Sequence, residues 1–325
     1  MPAKVALIVV YNHHPHADNI PVVERLYGAR FSDIYHLVPC ARGFAPVAMD
    51  GDGPNIIPVH GKSWHFHGWF AQGLRRYFRA RYTHYFFIHD DLLLNPAIDE
   101  NNFREHLNLQ RDDTAFTTNF YTLHQRLEWN YAPEAYRFRG RIAPLPAVDE
   151  ARRRFAAHGL RTGRVGFNLR LFARGVYVPP PPPPAAAHTV ARLKTPLRYL
   201  TLLLRRTRRL LLWPAASRQL AYPLVGGYPD LAVVPAARIE EFCKYCAAFA
   251  DAKLFVAIAM PTALALSCAN INTHEDIPLW GWHYWPHESW DAMRASHAED
   301  QLNALLENFP EGCLFIHPVK LSDDG

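Results

Sequence analysis

The stretch YFFIHDDLLLNP, residues 85–96, runs an apolar segment into a histidine and two adjacent aspartates, resumes with three leucines and stops at Asn-Pro. Its first residues have the length and composition of a buried strand. The feature to explain is a pair of carboxylates at the end of that strand, with apolar chain on both sides.

Working outward, KVALIVV (4–10), SDIYHLV (32–38), NIIPV (55–59) and HYFFI (84–88) read as strands. NIPVVERLYGA (19–29) and FHGWFAQGLRRYFRA (66–80) read as the helices between them. Strands alternating with helices predict an α/β fold with a mostly parallel, Rossmann-like central sheet flanked by helices. Such sheets bind ligands beyond the carboxyl ends of their strands. That rule selects Tyr11, Asn12 and the histidines after the first strand, His60 to Ser63 after the third, and His89, Asp90 and Asp91 after the fourth.

Further on, DTAFTTNF (113–120) predicts another strand, and VPPPPPPAAA (178–187) predicts extended polyproline or a linker. Residues 193–213, LKTPLRYLTLLLRRTRRLLLW, interleave leucine with arginine and contain no acid. A helix there suits an anionic membrane surface, an anionic polymer, or its own domain. GGYPDLAVVP (226–235) returns to ordered structure, followed by packed helices in EEFCKYCAAFA and KLFVAIAMPTALALSC. A tryptophan-rich loop over 279–290, an amphipathic helix and a last strand, CLFIH, complete the pass. The expected organisation is a first half over 1–174, a basic Pro/Arg/Leu-rich insertion over 175–222 and a second half over 223–325 completing the same domain.

Charge is distributed unevenly along the 325 residues. Residues 151–229 hold fifteen of the 35 Lys and Arg and no acid, leaving 20 basic residues against all 30 Asp and Glu elsewhere. An acidic-leaning body with a basic middle implies different partners for the two. No nucleic-acid-binding motif is visible, so a nucleic acid is not among them. Five cysteines (Cys40, Cys243, Cys246, Cys268 and Cys313) without a disulfide framework are expected to be reduced. The start reads as a first strand rather than a signal peptide, and no apolar run is long enough to span a bilayer. The expected compartment is the cytoplasm, with residues 192–213 allowing peripheral attachment at the inner membrane face.

Two carboxylates at a sheet's carboxyl edge can present oxygen ligands to Mg²⁺ or Mn²⁺ while leaving positions for diphosphate oxygens. Equally, Asp91 can open a turn or cap a helix over 95–106. In context, HDD resembles the DxD motif of GT-A-type glycosyltransferases, which bind nucleotide-diphosphosugars, with His89 at the motif's first position. CLFIHPVKLS (313–322) resembles the last strand of several such enzymes, whose His completes the metal site and whose Lys reaches the donor diphosphate. The resemblance covers the first 120 residues and, loosely, the last 100. It implies a GT-A-like fold and a glycosyltransferase assisted by Mn²⁺ or Mg²⁺, acting on a glycan or lipid-linked acceptor. It further implies Asp91 and His317 as metal ligands, Asp90 and Lys320 assisting metal or diphosphate, and Tyr11 and Asn12 at the nucleotide base.

Lys62 can touch phosphate, although its neighbour Ser63 reads as a helix cap. An acceptor base, needed for inversion, would be Glu275, Asp276 or Asp230. The first two resemble the Glu-Asp pair of inverting GT-A enzymes. Trp280, Trp282, Trp285 and Trp290 offer a sugar platform or core. Two alternatives stay open. HHPHADN (13–19), helped by His65 and His67, resembles the start of zinc-dependent N-deacetylases of the PIG-L type, but lacks their adjacent aspartates. A non-catalytic sugar-nucleotide or glycan-binding module is the other.

Overall fold

The computed structural model describes residues 4–12, 14–40, 55–123, 132–160, 220–283, 299–319 and 321. The polyproline run, the basic stretch 192–213, His13, Trp285, Trp290 and Lys320 lie outside them. Chain order gives β1 (Lys4–Val10), α1 (Ile20–Tyr27), β2 (Ile34–Pro39), β3 (Asn55–Val59), α2 (His67–Tyr77), β4 (Tyr82–His89), β5 (Leu93–Leu94), α3 (Phe103–His106), β6 (Thr114–Thr117) and β7 (Phe120–Tyr121). There follow α4 (Ala132–Arg137), α5 (Val148–Ala157), β8 (Gly226–Gly227), β9 (Leu231–Pro235), α6 (Ile239–Asp251), α7 (Val256–Ser267), β10 (Asn270–Asn272), β11 (Trp280–His283), α8 (Glu299–Glu307) and β12 (Cys313–His317).

Two compact units result: Met1–Phe120 with Gly227–Gly325, and Tyr121–Gly226. The first carries a seven-stranded sheet ordered β10-β6-β9-β4-β1-β2-β3. β4, β1, β2 and β3 run parallel, as do β10 and β6, while β9 lies antiparallel between β4 and β6. The predicted α/β architecture with a mostly parallel central sheet and flanking helices is therefore observed. β1 and β4 are buried almost throughout because helices cover their sheet, which is why their sequences are apolar runs rather than alternations.

β9 decides what surrounds HDD. Being antiparallel, it begins where β4 ends, so the His89 N–H donates to the Asp230 carbonyl at 3.3 Å. A second sheet, β11-β12-β5, lies in the same unit. Residues 280–283 of the tryptophan-rich stretch are thus strand, paired in parallel with β12, and not loop. Only residues 103–106 of the segment after HDD are α-helical, with Asn102 at the cap position. Asp91 caps no helix there.

In the second unit, Phe138 meets Tyr222 edge-to-face at 5.6 Å, and the Tyr222 hydroxyl donates to the Pro146 carbonyl. Gly140, at φ +66°, passes so close to the Tyr222 ring that a Cβ would overlap it. All five cysteines are free thiols. No helix among the described residues is long and apolar enough to cross a membrane.

Candidate metal centre

Two short pairings bring the ends of the chain's chemistry together. Val10 of β1 stands beside His89 of β4, so Tyr11, Asn12 and the HDD turn leave the sheet at one edge. The Asp90 N–H donates back to the Val10 carbonyl at 3.1 Å. After the turn, β5 pairs antiparallel with β12, Leu93 opposite Ile316. One further step along that ladder carries His317 beside the turn, where the Val319 N–H donates to the Asp91 carbonyl at 2.6 Å.

His89, Asp91 and His317 consequently offer three ligand atoms, all within 4.8 Å of one another. His317 Nε2 lies 3.0 Å from Asp91 Oδ1, and His89 Nδ1 lies 3.9 Å from the same oxygen. Asp230 Oδ1 is 3.4 Å from His89 Nδ1. Both histidines are buried, whereas the Asp91 side chain is a quarter exposed and opens the cluster to solvent. Two imidazoles and one or two carboxylates form a competent donor set for a divalent transition metal. Among the described residues, no hydrogen-bond partner meets the buried His89 Nε2.

Electrostatics agree with the geometry. Burial disfavours a charged imidazole at His317, but the carboxylates of Asp91, Asp230 and Asp90 outweigh it and push its pKa up to about 9. A concentration of negative charge that holds a proton so firmly is also one that attracts a cation.

The other residues singled out by sequence fall into three groups. Asn12 reaches the cluster, its amide donating to His89 Nδ1 at 3.0 Å. Asp90 turns inward: it is 1% exposed and accepts from the Asn19 amide at 2.8 Å. Tyr11 is part of the core, with its hydroxyl 2.8 Å from His36 Nδ1, so its ring offers no face to solvent. Asp276 closes a capping box with Thr273, accepting from that residue's N–H at 2.7 Å, while Glu275 beside it is exposed. The Thr-x-x-Asp spacing of a capping box was available in the sequence. Lys62 is exposed.

His67 lies inside the α2 packing, fully buried, where desolvation lowers its pKa to about 3. Asp18 is exposed. Cys243 and Cys246 are packed thiols of α6. Trp280 and Trp282 of β11 stand 5.9 Å apart, with Trp280 43% exposed. Sequence reasoning assigned no role to Tyr228, whose hydroxyl meets His317 Nδ1. No motif signals it.

No protein-family model and no curated protein matches the chain. Among solved structures, it is similar to the galactosyltransferase LgtC in complex with donor and acceptor sugar analogues, at 10% identity and a TM-score of 0.36, over 96% of this chain and 86% of that one. It is also similar to core-mannan synthase A from Aspergillus fumigatus in its Mn/GDP form, at 11% identity and a TM-score of 0.35, over 85% and 73%.

Proposed function

We propose that this chain transfers a glycosyl group from a nucleotide-diphosphosugar donor to a hydroxyl of a glycan or lipid-linked acceptor. The observation that carries the reading is the meeting of Asp91 with His317 across 226 positions, beside His89, at the carboxyl edge of the sheet. In this reading Asp91, His317 and His89 hold Mn²⁺ or Mg²⁺, which when bound neutralises charge gathering on the departing diphosphate. Asp90 and Asp230 add negative potential behind the ligands. Asn12, whose amide holds the single His89 Nδ1 lone pair while no metal is present, gives it up to the metal and is left at the donor's entrance. Lys62, and Lys320 by its type, supply point charges to phosphate.

Of the three candidate bases, Asp276 is committed to its cap and Asp230 to the cluster. Glu275 is exposed, and its carboxylate takes part in no hydrogen bond among the described residues. We therefore assign it the acceptor's proton. Glu275→Gln is expected to lower kcat by about 10²–10⁴-fold with donor affinity unchanged. Steady-state kinetics with equal kcat would remove it from that role. The basic stretch 192–213 is the segment we assign to an anionic membrane surface on the cytoplasmic side.

The test is thermal denaturation of the full chain with uridine, guanosine, cytidine and adenosine diphosphates, each with and without Mn²⁺, repeated on Asp91→Ala. A metal-dependent stabilisation by one nucleotide, absent from the variant, supports the donor site and names its base. Two imidazoles and a carboxylate are also a hydrolytic zinc set, which favours a deacetylase-like hydrolase as the second reading. Stabilisation by Zn²⁺ alone, with no nucleotide effect, would select it.

A further inference from the structure

We infer that Tyr228 is a positioning residue, holding the His317 imidazole so that Nε2 rather than Nδ1 faces the metal; this rests on the metal reading above. The ring of His317 is engaged at both ends. Nε2 faces Asp91 Oδ1 at 3.0 Å, and Nδ1 meets the Tyr228 hydroxyl. Where the phenolic oxygen accepts from Nδ1–H, Nε2 is the nitrogen left to exchange its proton for a cation. An imidazole not so held can turn about its terminal torsion, whose energy wells are broad.

Tyr228 is itself fixed by groups other than His317. Its ring stacks on Phe315 at 5.8 Å and an interplanar angle of 13°. Its N–H donates to Asn119 Oδ1 at 3.1 Å. The preceding Gly227 packs so closely that a Cβ would lie 2.6 Å from the Asn119 carbonyl oxygen and 2.7 Å from Pro261. The hydroxyl is thus set in place by the fold and the imidazole follows it. Outer groups of this kind raise ligand basicity and fix ring orientation, and losing one typically weakens metal affinity 10–100-fold.

Tyr228→Phe keeps the stack and deletes only the acceptor. Titration calorimetry of the full chain with Mn²⁺ should show Kd rising about tenfold or more, with the melting temperature of the metal-free protein close to wild type. An unchanged Kd overturns the inference. Should wild-type protein take up no Mn²⁺, the metal reading fails by itself, and the second measurement decides Tyr228. In metal-free protein labelled with ¹⁵N-histidine at neutral pH, the His317 Nδ1 proton should exchange with solvent markedly faster in the variant than in wild type. An unchanged exchange rate of that proton in Tyr228→Phe sinks the positioning role whatever the metal result.

Discussion

Tyr27 illustrates how single polar atoms hold the HDD turn. Its hydroxyl donates to the Leu92 carbonyl at 2.8 Å and accepts from the Leu94 N–H at 3.1 Å, so one buried oxygen serves both backbone groups that follow the aspartates. Burial raises its pKa, so it stays a hydroxyl. Tyr27→Phe leaves those two groups unmet and is expected to cost about 1–3 kcal/mol in urea unfolding. Unchanged stability would mean that water takes over both bonds. At this scale residue type is a guide: the sequence singles out Asp91 and His317 as a pair, and the fold sets them 3.0 Å apart with His89, not read there as a ligand, beside them. Tyr11 reads as available, being an aromatic ring after a strand, whereas the fold buries it completely. Its hydroxyl is met there by His36. Tyr228 is unreadable, because its value lies in a partner 89 positions away.

Elements were more legible than sites wherever they make their own case. β1, β3 and β12 are bounded by composition, and their predicted and observed limits coincide. Failures occur where a partner decides. WGWH becomes strand because β12, some thirty positions later, supplies its ladder, and nothing in LAVVP tells that β9 runs antiparallel. The contact of α2 with α6 gives an element-scale prediction. Gly68 lies in α2 against Ala250 of α6, where a Cβ would stand 2.7 Å from the Ala250 Cβ. Gly68 is the second residue of α2, where Ala gains less than the roughly 1 kcal/mol by which it stabilises a helix interior relative to Gly. Here the methyl groups are both rigidly attached, so the helices must separate, and overpacking typically costs about 1–3 kcal/mol. Gly68→Ala should therefore lower the urea midpoint, and a raised midpoint would show that α6 can shift freely.

For the molecule as a whole, two histidines buried away from the metal centre weaken the fold as pH falls, against a smaller opposite contribution from His317, whose pKa is raised. His67 is held near 3 by desolvation, with His65 adding to the effect, and His84 near 4 by desolvation, with Arg104 adding to it. The Asp112 carboxylate and the Thr114 backbone act on His84 in the opposite sense, as the Phe249 backbone does on His67, without reversing either shift. Both groups are neutral when folded and titrate near 6.5 when unfolded, so below 6.5 the unfolded chain binds the extra protons. Their contribution is therefore fully present above pH 6.5 and declines as pH falls toward the folded values. At pH 4 the loss amounts to roughly 3 kcal/mol for each. Urea unfolding of the metal-free chain between pH 7 and 4.5 should show this decline, and His67→Leu, which keeps the packing volume apolar, should flatten it by about half. A variant with the same slope as wild type would mean that His67 opens to water before the molecule unfolds, and that the acid limit is set by local opening of α2 rather than by the whole fold.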